Sequence, residues 1–263
     1  NRFKLDYCEI VPDLAEDGLP MRALGHAGAA YIHRMIEAHA DGVIGVGHGR
    51  TLAAAVREMS HVDAASVRFV SLLGGLTRNY AANPHDVIHR LAEKTGAQAY
   101  VMPVPFFANS VEDREVLLSQ RGVSDVFRLA ASADLMLVGI GTAEPHAQLV
   151  ASRMVEMPEI AEVKAQGGLG EVLGHFFDET GRAIETSLTQ RTLSLGLEEL
   201  RERKIVAIAG GATVLSHVND SGFWLVSRFL QMDEKTTLKT WTVMETLLGG
   251  IAFLLALIGS LLL

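Results

Sequence analysis

The sequence predicts an α/β fold in which helices flank an open, mainly parallel, Rossmann-like sheet. The first observation behind this prediction is a set of short apolar runs that end in Gly or Pro, which is typical of strands buried on both faces of a sheet. The second is that segments with apolar residues three or four positions apart, the spacing of an amphipathic helix, lie between these runs. Strand alternating with helix indicates βαβ units and therefore a parallel sheet.

The predicted strands and helices follow one another along the first 211 residues. The strands are GVIGVG (42–47), SVRFVSLLGG (66–75), AQAYVMPVP (97–105), ADLMLVGIG (133–141) and KIVAIAGG (204–211). The helices cover residues 19–40, 51–59, 84–95, 123–131 and 193–203. Because crossover connections are right-handed, the carboxyl ends of the strands and the Gly-rich loops after them should meet at one edge of the sheet.

Composition limits the classes of function. The formal charge of −8 argues against a broad nucleic-acid-binding face, which would need a basic stripe. The single cysteine, Cys8, excludes an intrachain disulfide and fits a reducing compartment. The first residues contain no apolar core of signal-peptide length, and the lack of an initiator Met predicts that the chain begins at a cut.

The most informative motif is Gly45-Val46-Gly47-His48-Gly49-Arg50-Thr51-Leu52, which follows an apolar strand and opens a helix. Glycines allow close backbone approach to an anion, and a helix N-terminus offers unpaired N–H groups with a partial positive charge. The motif fits neither the dinucleotide fingerprint nor the P-loop. It predicts a general cradle for a phosphate or polyol, formed by Gly47, His48, Gly49, Arg50 and Thr51. A tight strand-to-helix turn would need the same glycines.

Other strand ends are expected to face the same crevice. Candidate ligand-binding residues there are Gly75, Arg78 and Asn79 after the second strand, and Gly139 and Gly141 after the fourth. Asp178, in a cluster of polar and aromatic residues at 170–178, could accept hydrogen bonds from sugar hydroxyls. It could equally be the turn residue before Thr180-Gly181.

The same residues give no sign of catalysis. The ten histidines form no HExxH motif and no close Cys/His set, so we expect no metal site and no cofactor. No serine has a nucleophile-elbow context and no carboxylate pair stands out, so no catalytic residue is predicted. This part of the chain is equipped to bind a ligand rather than transform it.

With these motifs in order, residues 2–211 resemble the effector-binding domain of SorC-type sugar-responsive transcriptional regulators, and are most similar to the erythritol and polyol branch. The matching landmarks are GVGHGRTL (45–52), LLGGL (72–76), NPHDVIHRLAEKTGA (83–97), MPVP (102–105), ADLMLVGIG (133–141), GEVLGHFFDETGR (170–182) and VAIAGG (206–211). The resemblance implies a sheet similar to phosphosugar isomerases, a phosphorylated sugar or polyol as ligand, and a homo-oligomer. It also implies that the glycine loop and Thr51 take the phosphate.

Two departures from the family pattern affect these expectations. The helix-turn-helix domain that precedes this region in the family is not in the sequence, so we expect no direct binding to DNA. The family carries a Lys shortly after AGG that helps to bind phosphate, and Val214 stands at that position.

The end of the chain has a different character. The stretch from about residue 211 to 263 resembles the C-terminal end of GntP-type gluconate:proton symporters, on SHVNDSGFW and LKTWTVMET. The 22 residues 242–263 would form a helix about 33 Å long, enough to cross a hydrocarbon core of roughly 30 Å. Residues 247–263 carry no charge, and Trp241 would lie at the membrane interface. The alternative is a buried hydrophobic helix packed on the sheet.

The sequence therefore predicts a ligand-binding domain at 1–211 joined, near 206–215, to a permease-like segment at 212–263. The first domain should be cytoplasmic, and the C-terminal helix could anchor it to a membrane. Non-catalytic binding of a phosphorylated sugar or polyol is the favoured function. The alternatives are a fragment of a gluconate transporter and a phosphosugar isomerase-like enzyme.

Overall fold

The fold is seen in a computed structural model, which describes residues 7–11, 20–76, 87–201 and 203–208. In chain order its strands are β1 Val43–Val46, β2 Arg68–Ser71, β3 Gln98–Tyr100, β4 Leu135–Val138, β5 Gly141–Thr142, β6 Gly170–Val172, β7 His175–Phe177, β8 Ala183–Ile184 and β9 Ile205–Ala207. Its helices are α1 Met21–Ala38, α2 Arg50–Glu58, α3 Ile88–Thr95, α4 Val111–Ser119, α5 Arg121–Ala131, α6 Gln148–Ala151, α7 Met157–Ala165 and α8 Leu197–Arg201, with a 3₁₀ turn at Thr189–Arg191.

The main sheet has five strands in the order β3-β2-β1-β4-β9, and every neighbouring pair is parallel. The prediction of an α/β fold with a mainly parallel sheet is therefore confirmed. All five strands lie inside the apolar runs that predicted them. Since β1 and β4 are central, all four residues of each are buried, as continuous apolar runs require. The edge strands β3 and β9 are largely exposed, so burial on both faces was a wrong expectation for them.

Helices pack on both faces of this sheet. On one face, Ile32 of α1, Leu52 of α2 and Leu91 of α3 share a buried cluster with strand residues such as Ile44 and Phe69. On the other face, the cluster includes residues from α5, α7 and a second, smaller sheet. The alternation of strand side chains between two apolar layers explains why a run such as β1 contains no polar residue.

The smaller sheet, β5-β6-β7-β8, is antiparallel and was not predicted from the sequence. Its register places Gly141 opposite Glu171, and Glu171 opposite Phe176. It continues directly from the loop after β4, because only Gly139 and Ile140 separate β4 from β5. This sheet therefore borders the edge of the main sheet where the Gly-rich loops meet.

The predicted membrane helix at 242–263 lies outside the described residues, as do Val214, Trp241 and all of the predicted junction at 206–215 except residues 206–208. Among the residues that are described, no helix is both long and apolar enough to span a membrane.

Candidate functional site

The centre of the site is the point where the sheet changes direction. From β1 the chain builds outward through β2 to β3, and it returns to the other side of β1 with β4. The carboxyl ends of the strands at such a direction change are the usual ligand site of open α/β sheets. The chain just after β1 stays close to β4, since the Gly47 N–H donates to the carbonyl of Leu137 in β4 at 2.8 Å. A Cβ at Gly139 would lie only 2.9 Å from the His48 carbonyl oxygen.

The loop after β1 presents the beginning of a helix to this crevice. Gly49 is the N-cap of α2 and has a φ of +132°, a conformation that L side chains rarely adopt. No side chain caps the helix, and a Cβ at Gly49 would meet nothing within 4 Å. The first N–H groups of α2 are thus left for another acceptor, and together with the helix dipole they favour an anion. Arg50, the first residue of the helix, is exposed beside them.

Thr51 has a different contact from the one expected. It is buried, and its hydroxyl donates to the Ile208 carbonyl oxygen, just past the end of β9. The Ile208 N–H in turn donates to Val138 at the end of β4, at 3.0 Å. The Thr51 hydrogen therefore ties α2 to β9, and only the lone pairs of its oxygen are left to face a ligand.

A cleft of about 200 Å³ opens on the β2 side of the glycine loop. It is lined by Val46, Gly47, His48, Ser71, Leu73, Gly74 and Gly75. The predicted residue Gly75 is therefore beside Gly47 and His48, and its N–H donates to the Met102 carbonyl at 3.1 Å. The His48 ring packs edge-on against Phe106, with 5.0 Å between ring centroids. Arg78 and Asn79, predicted to follow Gly75 into the site, lie outside the described residues.

On the β4 side the important residue is Glu171, which sequence reasoning named only as part of a cluster. Gly141 lies directly beside its Oε2, and a Cβ at this position would require the Glu171 side chain to shift. Oε1 accepts the Gly174 N–H at 2.5 Å. Glu171 is only 6% exposed, and this burial raises the pKa of its carboxyl group to about 7, partly offset by the bond from Gly174. The available signal in the sequence was an acidic residue with a glycine on either side of it, at Gly170 and Gly174.

Asp178 occupies the turn between β7 and β8. Its Oδ1 accepts the Thr180 N–H at 2.8 Å, the Thr180 hydroxyl at 2.6 Å and the Arg182 N–H at 3.0 Å. Its Oδ2 accepts from Arg182 Nε at 3.2 Å. The hydrogen bond from the Thr180 hydroxyl is the largest of the effects that lower the pKa of Asp178 to about 2. These contacts favour the turn role over the ligand role.

The structure thus brings Gly47, His48, Gly49, Arg50 and Gly75 together with Gly139 and Gly141 around one edge of the sheet. Within the described part of the chain, no group of three or more His, Cys, Asp or Glu side chains could hold a metal ion. The arrangement offers backbone donors for an anion next to a cleft and a buried carboxyl group, which suits a small ligand with both phosphate and hydroxyl groups.

Comparison with known proteins identifies the family. The family Sugar-bind, described as "Putative sugar-binding domain", matches residues 1–216. The chain belongs to this family. The erythritol catabolism regulatory protein EryD of Brucella abortus (strain 2308) is 60% identical to it over 209 residues, which are 80% of this chain and 66% of that protein. The resemblance to SorC-type effector domains and to their erythritol branch is confirmed, although the chain spans only about two thirds of this relative.

Solved structures show the same fold. A transcriptional regulator from Streptococcus pneumoniae TIGR4 superimposes with a TM-score of 0.69 at 21% identity, covering 79% of this chain and 80% of that one. The full-length sorbitol operon regulator SorC from Klebsiella pneumoniae gives 0.62 at 20% identity, covering 71% of this chain and 61% of that one.

A second family, GntP family permease, matches residues 194–262, so the two matches overlap at 194–216. The low-affinity gluconate transporter of Escherichia coli (strain K12) is 52% identical over 54 residues. These residues are 20% of this chain but 12% of the transporter. The resemblance of the C-terminal segment to permeases is thereby confirmed for a small part of such a protein.

Proposed function

We propose that this chain binds a small phosphorylated sugar or polyol, without transforming it, as the effector-sensing part of a transcriptional regulator. The phosphate lies at the start of α2, where Gly49 and Arg50 present backbone N–H groups and a cation. The hydroxyl-bearing carbon chain lies over the neighbouring strand ends. A four-carbon polyol phosphate is the first ligand to test, because the name of the regulator with 60% identity refers to erythritol catabolism.

The observation that carries this proposal is the uncapped N-terminus of α2 at the direction change of the sheet. Three features coincide there: a glycine with φ of +132°, a helix with no side-chain cap and an adjacent exposed Arg50. The cleft opens beside the preceding residue, His48. Anions bind at such helix ends because unpaired N–H groups and the helix dipole act together.

The second part of the proposal concerns what each part of the chain does in a regulator. Residues 1–211 form the effector domain and act in the cytoplasm as a homo-oligomer. Residues 212–263 form a permease-like segment, which contacts a membrane through 242–263. We propose no transport for it, because its similarity to the gluconate transporter covers 12% of that protein.

The proposal is tested by calorimetric titration of the full chain with erythritol phosphate, erythritol, inorganic phosphate and a set of phosphorylated pentoses and hexoses. A mild detergent is included throughout because of the C-terminal segment. We expect saturable binding of one phosphorylated member, with weaker binding of its unphosphorylated form. Recovery of the ligand unchanged after long incubation separates binding from isomerase-like turnover.

Two results would contradict the proposal. Folded protein that binds none of these compounds would show that the family's fold is present without its ligand site. Conversion of the ligand into an isomer would assign the chain to the enzyme alternative.

A further inference from the structure

One buried hydroxyl group in the described part of the chain differs from all the others. Six Ser or Thr side chains are buried there, and five of them make hydrogen bonds: Thr51, Thr95, Thr186, Thr192 and Ser194. Ser71, which is 5% exposed, has no hydrogen-bond partner among the described residues. Buried polar groups are nearly always paired, so an exception needs an explanation such as a missing ligand.

The position of Ser71 supplies this explanation. It is the last residue of β2, pairs in register with Val46, and lines the cleft beside the glycine loop. Strand alternation places it on the same face as Phe69, which is the face on which α2 packs. The buried hydroxyl group therefore lies at the wall of this cleft.

We propose that the Ser71 hydroxyl hydrogen-bonds a hydroxyl group on the ligand's carbon chain and so distinguishes hydroxylated from deoxygenated ligands. A serine hydroxyl is both donor and acceptor, which matches another hydroxyl group. The carbon chain then extends from the start of α2 into the cleft between the ends of β1 and β2. This inference rests on the proposed function and assigns one residue of that site to specificity.

The test compares the wild-type chain with Ser71→Ala, which removes the hydroxyl group at almost constant shape. Binding of erythritol phosphate and of butyl phosphate, which has the same carbon number but no hydroxyl, is measured by calorimetry and ³¹P NMR titration. We expect Ser71→Ala to weaken erythritol phosphate binding about three- to tenfold, the effect of one neutral hydrogen bond, and to leave butyl phosphate binding unchanged. The melting temperature should be unchanged or higher, since an unpaired buried group is removed.

Ser194→Ala is the matched control. Ser194 is also 5% exposed, but its hydroxyl donates to the Leu173 carbonyl at 2.7 Å. This variant should lower the melting temperature and leave both affinities unchanged.

The outcomes separate the inference from the function on which it rests. If the wild type binds erythritol phosphate and Ser71→Ala binds it equally well, the Ser71 inference is wrong and the function stands. An equal loss for both ligands would place Ser71 against the phosphate, and a melting temperature lowered as in Ser194→Ala would show an internal partner. Either result overturns the inference. If the wild type binds neither compound, the polyol phosphate function fails and the inference fails with it.

Discussion

The buried carboxyl group of Glu171 should make the stability of the protein depend on pH, and Glu171→Gln should remove this dependence. Burial raises the pKa of Glu171 in the folded chain from its ordinary value of 4.5 to about 7. The folded state therefore holds a proton that the unfolded state releases between these two pH values. Stability from this group is fully present below pH 4.5 and is lost as the pH rises through about 7.

The size of the effect follows from the two pKa values. At about 1.4 kcal/mol per pH unit, a difference of about 2.5 between them corresponds to at most about 3 kcal/mol lost from the free energy of unfolding by pH 8. Glutamine stays neutral, and its carbonyl oxygen can still accept the Gly174 N–H that Oε1 accepts in the wild type. We therefore expect Glu171→Gln to be more stable than the wild type at pH 8, by up to about 3 kcal/mol, and close to it at pH 5.

The assay is urea unfolding of the full chain, at fixed ionic strength and detergent, at half-unit steps from pH 5 to pH 8.5. Glu93→Gln is the control, because Glu93 is exposed on α3 and should leave the pH profile of the wild type unchanged. The reasoning is refuted if the difference between wild type and Glu171→Gln does not grow between pH 5 and pH 8. Such a result would mean that water or a cation reaches the Glu171 carboxylate.

Three further predictions concern the glycine loop and the C-terminal segment. Gly49→Ala should lower the free energy of unfolding by about 1–3 kcal/mol, because φ is +132° at this residue. Gly122→Ala, within helix α5, is the control and should leave stability unchanged or raise it. Equal urea midpoints for the two variants would contradict this prediction. Arg50→Ala should weaken phosphosugar binding by about 1–3 kcal/mol without changing the free energy of unfolding. Thr51→Val should weaken binding as well and should also lower the free energy of unfolding by about 1 kcal/mol, because its hydrogen bond to the Ile208 carbonyl is lost. Unchanged dissociation constants for both variants in calorimetry would exclude the glycine loop as the phosphate site. Deleting 242–263 should convert a protein that requires detergent into one that sediments as a defined species without it, and the membrane prediction is wrong if the full chain already does so.

The main sheet could be predicted because its central strands are buried on both faces and therefore appear in the sequence as uninterrupted apolar runs. Residues of β1 and β4 are apolar without interruption, and Gly follows each run. The smaller sheet could not be predicted, since β5 and β8 have two residues each and no apolar period can appear over that length. Helix α4 was missed for a related reason: none of its residues is buried, so it has no apolar face to reveal it.

The glycine loop was predictable because its backbone chemistry is local. A glycine with positive φ at the start of a helix appears in the sequence as Gly49 followed by a helical pattern. The two readings of Asp178 also depended on local residues, and the hydrogen bonds that Thr180 and Arg182 donate to its two carboxylate oxygens favour the turn role. Partners in the same turn were visible in the sequence, so the turn alternative could be kept from the start.

The roles of Glu171 and Ser71 could not be predicted from the sequence, because they depend on burial by residues that are far away in the chain. Ser71 and Ser194 are both buried serines beside apolar residues, yet the Ser194 hydroxyl donates to a carbonyl oxygen whereas the Ser71 hydroxyl has no partner among the described residues. No pattern over a few positions distinguishes them. A residue such as Ser71, proposed to bind a hydroxyl group of the ligand, is recognised by having no hydrogen-bond partner within the described fold. Sequence patterns do not show this property, so such residues are missed. The proposed phosphate cradle consists of backbone groups at a helix start, and this is the part of the site that the sequence predicts.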